Sequence, residues 1–176
     1  MWRSLIPIVA FAVLAYFLNG GLYKDPRVIP SPLIGKPAPE FNLPVLGDRA
    51  RQVAMADYRG QVVMVNVWGS WCSGCRAEHQ TLLAIASTGE VPIIGLNWKD
   101  EDPAAEKWLT DLGNPYQVNL VDVEGRTAIN FGVYGAPETF LIDKKGVIIH
   151  KFTGPIYWQA WTEELLPLVK KAKEAT

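Results

Sequence analysis

The run Gln61 to Trp68, QVVMVNVW, is apolar and β-branched almost throughout, and the turn Gly69-Ser70-Trp71 leads from it straight into Cys72-Ser73-Gly74-Cys75. A strand without polar alternation is buried on both faces, so this one belongs at the centre of a sheet. The spacing predicts a helix from about Ser73 to Ser87, ending near Gly89. A central strand feeding a helix through a cysteine pair restricts the chain to a layered α/β domain.

The remaining pattern agrees. Phe41 to Leu46 and Gln52 to Met55 are weaker strand candidates, a hairpin across Gly47-Asp48, and Val91 to Trp98 is a second central strand. Asp102-Pro103 opens a helix with an N-cap and a first-turn proline, and Gly113 closes it. Gln117 to Val123 reads as a strand and Arg126 to Phe131 as a short helix. Glu138 to Ile142 and Val147 to Phe152 form a hairpin over Asp143 to Gly146. A last amphipathic helix covers Tyr157 to Glu174, bent near Pro167. The sheet is therefore expected to be mixed and flanked by helices.

Ahead of this domain lies a different kind of segment. Leu5 to Leu18 is apolar or aromatic throughout, and no charge occurs from Ser4 to Tyr23, about 20 residues or about 30 Å as a helix. That length matches a bilayer core and predicts a single transmembrane helix, residues 1–23, as an uncleaved signal-anchor. A cleaved signal is the alternative, but Ala10-Phe11-Ala12 lies inside the apolar run, where a cleavage site does not belong. Prolines at 26, 30, 32, 37 and 39 make residues 24–39 an extended spacer, leaving 40–176 as the exported domain. Seventeen basic and eighteen acidic residues give a net charge of −1, with no long basic block, which excludes nucleic acid as an expected partner.

The two cysteines, three positions apart, read as a reactive pair and not as a scaffold of structural bridges. Cys72 falls at a helix start, where unpaired N–H groups and the helix dipole favour a thiolate. Cys75, one turn on, can reach it. Cys72 then attacks a substrate disulfide and Cys75 displaces the reduced product. Glu78 is either a partly desolvated acid exchanging a proton with Cys75 or a solvated carboxylate paired with Arg76 or a lysine. Trp68 reads as core. Trp71 is either an exposed platform for a bound peptide or a packed side chain. Cys72, Cys75, His79 and His150 match no recurrent zinc spacing, so no metal is expected, and both histidines read as surface or boundary residues.

The run VNVWGSWCSGCRAEH resembles the active-site motif of thioredoxin-like proteins, and more closely that of the membrane-anchored reductases of cytochrome c maturation known as CcmG or DsbE. The stretches PSPLIGKPAPEFNLP, LNWKD with LGNPY, and GVYGAPETFLIDKKG extend the resemblance over nearly the whole chain. It implies a thioredoxin-like fold with an N-terminal β-hairpin and a central αβ insertion carrying acidic residues such as Asp100. It implies Cys72 as nucleophile, Cys75 as resolving thiol, and Pro137 as the cis-proline facing them. Ala136 and Pro137, with Trp71, are the expected peptide-binding positions, by strand addition. Glu78 and Glu138 match the family's acids.

The resemblance further implies an inner-membrane, single-pass protein with its catalytic domain in the periplasm. Such a protein reduces apocytochrome c, or a cytochrome-maturation thiol protein, and is recharged by a transmembrane thiol reductase. It acts as a monomer with no cofactor beyond its dithiol. Rival readings are a general disulfide oxidant or isomerase, a metal-delivery protein, and a thiol peroxidase. Two departures stand out: Ser73-Gly74 lacks the proline common between such cysteines, and Asn66 stands where thioredoxin has a buried aspartate. The second moves any proton-transfer role onto Glu78 or Glu138.

Overall fold

The computed structural model describes residues 31–175 together with residues 7, 11 and 13–16. The expected anchor and the start of the spacer fall almost wholly outside the described residues. Among those described, no helix is long and apolar enough to cross a membrane.

Seven strands form one sheet: β1 (Asn42–Val45), β2 (Asp48–Ala54), β3 (Val63–Trp68), β4 (Ile93–Trp98), β5 (Val118–Asp122), β6 (Glu138–Ile142) and β7 (Ile148–Thr153). Their order is β2-β1-β5-β4-β3-β6-β7. β3, β4 and β5 are mutually parallel, while β6, β7 and the β1–β2 hairpin are antiparallel additions at the two sides. Helices α1 (Ser73–Thr88), α2 (Asp102–Leu112) and α3 (Arg126–Asn130) alternate with the central strands. The C-terminal segment begins as α4 (Trp158–Ala160), widens into a π turn (Trp161–Leu165), and continues as α5 (Leu166–Glu174). This is the mixed, helix-flanked sheet expected of a thioredoxin-like fold.

β3 is buried along its whole length because alternate side chains enter two different cores. Val63, Val65 and Val67 join Ile94, Leu120, Phe131 and Phe140 on one face. Met64 and Trp68 join Leu82, Ile85, Trp108 and Trp161 on the other, and both cysteines belong to this second core. α1 stops at Gly89, whose φ of 66° is left-handed and accessible to glycine at no steric cost.

Four expectations need correction. Ser31 to Pro39 is not free spacer: Pro37 bridges Val147, Gly35 N–H bonds Ile148, and Ala38 is buried, so the domain begins earlier than residue 40. The N-cap of α2 is Glu101, without a side-chain cap; Asp102 instead accepts a two-pronged bond from Arg49. The helix expected to bend near Pro167 instead widens into the π turn Trp161–Leu165 just before it, where proline has no N–H to give to the carbonyl four residues back. His79 is not at the surface: it is 2% exposed and bonded to the Gly113 carbonyl and to Trp108. Burial lowers its pKa, keeping the ring neutral.

Candidate active site

Cys72 is the N-cap of α1, in extended conformation, and its sulfur accepts the Cys75 N–H at 3.0 Å. The two cysteines are joined as a disulfide, with 2.13 Å between the sulfurs. The turn that delivers Cys72 is held from the side by Asp100. One carboxylate oxygen accepts Ser70 N–H (2.6 Å) and Asn97 Nδ2 (2.9 Å), and the other accepts Ser70 Oγ (2.7 Å) and Glu101 N–H (2.9 Å). Asp100 lies just beyond the end of β4, so the segment between β4 and α2 buttresses the cysteine loop.

Trp71 is at once exposed and packed. The residue is 53% exposed, yet its indole N–H is directed at the Lys99 carbonyl (3.1 Å) and its ring packs edge-on against Trp98. It is a fixed, solvent-facing surface beside Cys72. Trp68 is core, stacked on Tyr116.

Ala136–Pro137 is a cis peptide, as the resemblance implies. A Cβ placed on Gly74 would lie 2.8 Å from Pro137 Cδ and 4.0 Å from the Ala136 carbonyl oxygen. The dipeptide between the cysteines therefore rests directly on the proline loop, and glycine is what the close approach leaves room for. Ala136 is half-buried and Pro137 buried. The Pro137 carbonyl is already taken by Gly154 N–H.

Glu78 is fully buried, which removes the solvated-carboxylate reading. It lies one turn beyond Cys75 on α1. Its Oε1 accepts from Asn66 Nδ2 (2.9 Å) and its Oε2 from Ile156 N–H (2.8 Å). Asn66 also donates to Thr139 Oγ1 (3.0 Å) and accepts from Tyr116 OH (2.8 Å). Burial raises the Glu78 pKa to about 7, against the lowering effect of its two donors. An acid titrating there can take a proton from a thiol and return it near neutral pH. Burial, with the Glu78 charge added, pushes the Tyr116 hydroxyl well up, so it stays a donor.

Glu138 is equally buried but differently committed: Lys151 Nζ lies 2.9 Å from its Oε2. Burial raises its pKa and the lysine opposes the rise. His79, one turn from Cys75 on α1, is held by the Gly113 carbonyl and Trp108, and His150 faces Glu164 across 3.0 Å. Among the described residues, no group of three or more His, Cys, Asp or Glu side chains is arranged to hold a metal ion.

In the sequence Asn66 stands out only as a missing acid, and no motif marks Tyr116, Thr139 or Lys151 as site residues. The available signal was Asn66 itself: a polar side chain inside an apolar central strand must find buried partners.

The Redoxin family matches residues 33–166. The chain is 48% identical to the thiol:disulfide interchange protein DsbE of Pseudomonas aeruginosa, over 95% of this chain and 92% of that one. It is 50% identical to the DsbE of Allochromatium vinosum, over 96% and 93%. Among solved structures, a secreted thiol-disulfide isomerase from Corynebacterium glutamicum superposes with a TM-score of 0.67 at 27% identity, covering 76% of this chain and 85% of its own. The cysteine pair at a helix start, the opposed cis-proline and these likenesses agree: the chain belongs to the redoxin family of thioredoxin-like proteins, as a thiol-disulfide oxidoreductase of DsbE type.

Proposed function

We propose that this oxidoreductase is a reductant of cytochrome c biogenesis, keeping the haem-attachment cysteines of apocytochrome c reduced, directly or through a partner thiol protein. In the reduced enzyme the Cys72 thiolate attacks one sulfur of the substrate disulfide and expels the other as a thiolate. The Cys75 thiol gives its proton to the Glu78 carboxylate and attacks the Cys72 sulfur. The second substrate thiolate leaves, and two electrons have passed to the substrate. The product state is the Cys72–Cys75 disulfide.

The observation that carries the direction is the buried Glu78, one turn from the resolving cysteine with a pKa near 7. A carboxylate there opposes a very stable thiolate, and a stable thiolate is what makes a strong oxidant. The apolar run Leu5 to Leu18 supports a single-pass inner-membrane address with the domain in the periplasm. A reductant on that side needs an electron source across the membrane, so a transmembrane thiol reductase is the proposed donor. The dithiol serves as the sole redox group, and the enzyme works as a monomer.

The test is a Cys75→Ser trap expressed in a bacterium that makes c-type cytochromes. Cys72 then holds its substrate as a mixed disulfide, and the captured protein is expected to be apocytochrome c or another cytochrome-maturation thiol protein. Capture of many unrelated exported proteins, without either of these, would overturn the assignment in favour of a general oxidant or isomerase.

A further inference from the structure

Lys151, on β7, is a buried cation with a side chain only 4% exposed. Its ammonium reaches three points of one segment. Nζ donates to the Gly132 carbonyl at 3.0 Å, pairs with Glu138 Oε2 at 2.9 Å, and lies 4.6 Å from the centre of the Tyr134 ring. Gly132 begins the segment, Tyr134 is in its middle, and Glu138 ends it as the first residue of β6. Between them lie Ala136 and Pro137, against which Gly74 of the cysteine loop is packed. An ammonium taken out of water must be paired and hydrogen-bonded, and these three contacts tie the segment to Lys151.

We propose that Lys151 is a positioning residue for polypeptide disulfides: it fixes the Gly132–Glu138 loop so that a bound chain meets Cys72 in a single register. Glu138 then serves as the anchor for this clamp and not as a proton carrier. The loop contacts the substrate backbone and the cysteines perform the exchange, so loss of the clamp weakens binding of a polypeptide more than it slows chemistry. A small disulfide, which needs no strand pairing, is indifferent to it.

The inference rests on the reductase reading only in requiring a polypeptide disulfide. Insulin is therefore the substrate, and failure of the cytochrome assignment leaves the test intact. Wild-type, Lys151→Met and Lys151→Arg proteins, kept reduced by an excess of a small dithiol whose uncatalysed rate is subtracted, are compared on insulin and on a small aromatic disulfide. Lys151→Met is expected to raise KM for insulin about ten-fold with kcat within about three-fold and the small-disulfide rate within about two-fold. Lys151→Arg is expected to restore KM to within about three-fold, since a guanidinium also pairs with a carboxylate. An unchanged KM, or an equal loss on the small disulfide, overturns the proposal. Should Lys151→Met not fold because Glu138 is left buried and alone, the Lys151→Met/Glu138→Gln protein carries the same KM expectation. Failure of both to fold assigns Lys151 to fold stability and overturns it as well.

Discussion

Asn66 donates a hydrogen bond to Glu78 across 2.9 Å, in the interior beneath the cysteine pair. Where thioredoxin has an acid on the central strand, this chain has an amide there and the acid on the facing helix. The strand position has become a donor, and the carboxylate it serves sits one turn from Cys75. Because Asn66 is itself held by Thr139 and Tyr116, β6 and the segment before β5 fix the amide that serves the carboxylate.

Titration of Glu78 leaves a thermodynamic mark. The unfolded chain loses this proton near 4.5, while the folded protein holds it to about 7. Between those values the folded state binds more protons, so its stability falls as pH rises through that window and levels off above it. The total is on the order of 3 kcal/mol. In Glu78→Gln the fall is expected to disappear, as read from urea midpoints at pH 4.5 and 8. The same variant should lose the rising limb near pH 7 in the rate at which Cys75 resolves a mixed disulfide. A substitution that keeps that limb would show that another group takes the proton.

Asn66→Asp places a second carboxylate against the first. Two buried acids at that distance cannot both ionise, so the pair keeps a proton to higher pH. At pH 8 the expected loss of stability is about 3 kcal/mol, the range for an uncompensated buried charge. At pH 5, with a proton shared, the loss should fall to about 1 kcal/mol or less, the scale of one ordinary hydrogen bond. Equal losses at both pH values would point to packing as the cause.

Asp100→Ala removes the acceptor of four donors, two of them from Ser70. Leaving the Ser70 N–H and the Asn97 amide unsatisfied is expected to cost about 2 kcal/mol or more in thermal or urea unfolding. The loss is local, so exchange of the Ser70 amide proton should accelerate more than ten-fold while amides in the middle of β3 keep their protection. Uniform acceleration across β3 would contradict the local role.

What the chain states openly is its period and its punctuation. The apolar run ending at Trp68, the cysteine spacing, Gly89 and Gly113 each act within a few residues, and the strands and helices they mark are present. Contacts between distant segments left no such trace. Nothing near residue 31 announces that Gly35 and Pro37 pair along the 147–148 edge, and prolines there suggested a stiff spacer. His79 reads as polar, but its burial depends on Trp108, far along the chain. The same holds in the site. The cysteines, Pro137 and Glu78 lie in local motifs, whereas Lys151 gains its meaning only when β7 pairs with β6 and Lys151 falls opposite Phe140.

Gly74→Ala sets two effects of similar size against each other. Alanine is favoured over glycine in a helix by up to about 1 kcal/mol. The new methyl group would stand 2.8 Å from Pro137 Cδ, well inside contact distance, and the obstacle is a proline ring and not the mobile end of a long side chain. Overpacking of that kind costs about 1–3 kcal/mol, so the net change in stability should be a loss of about 0–2 kcal/mol. Relief comes from moving the Pro137 loop away from the cysteines, which predicts a three- to ten-fold rise in KM for insulin and a smaller change with a small disulfide. A more stable protein with unaltered KM would mean that the loop yields freely, and that the contact between Gly74 and Pro137 does not govern how a peptide is seated.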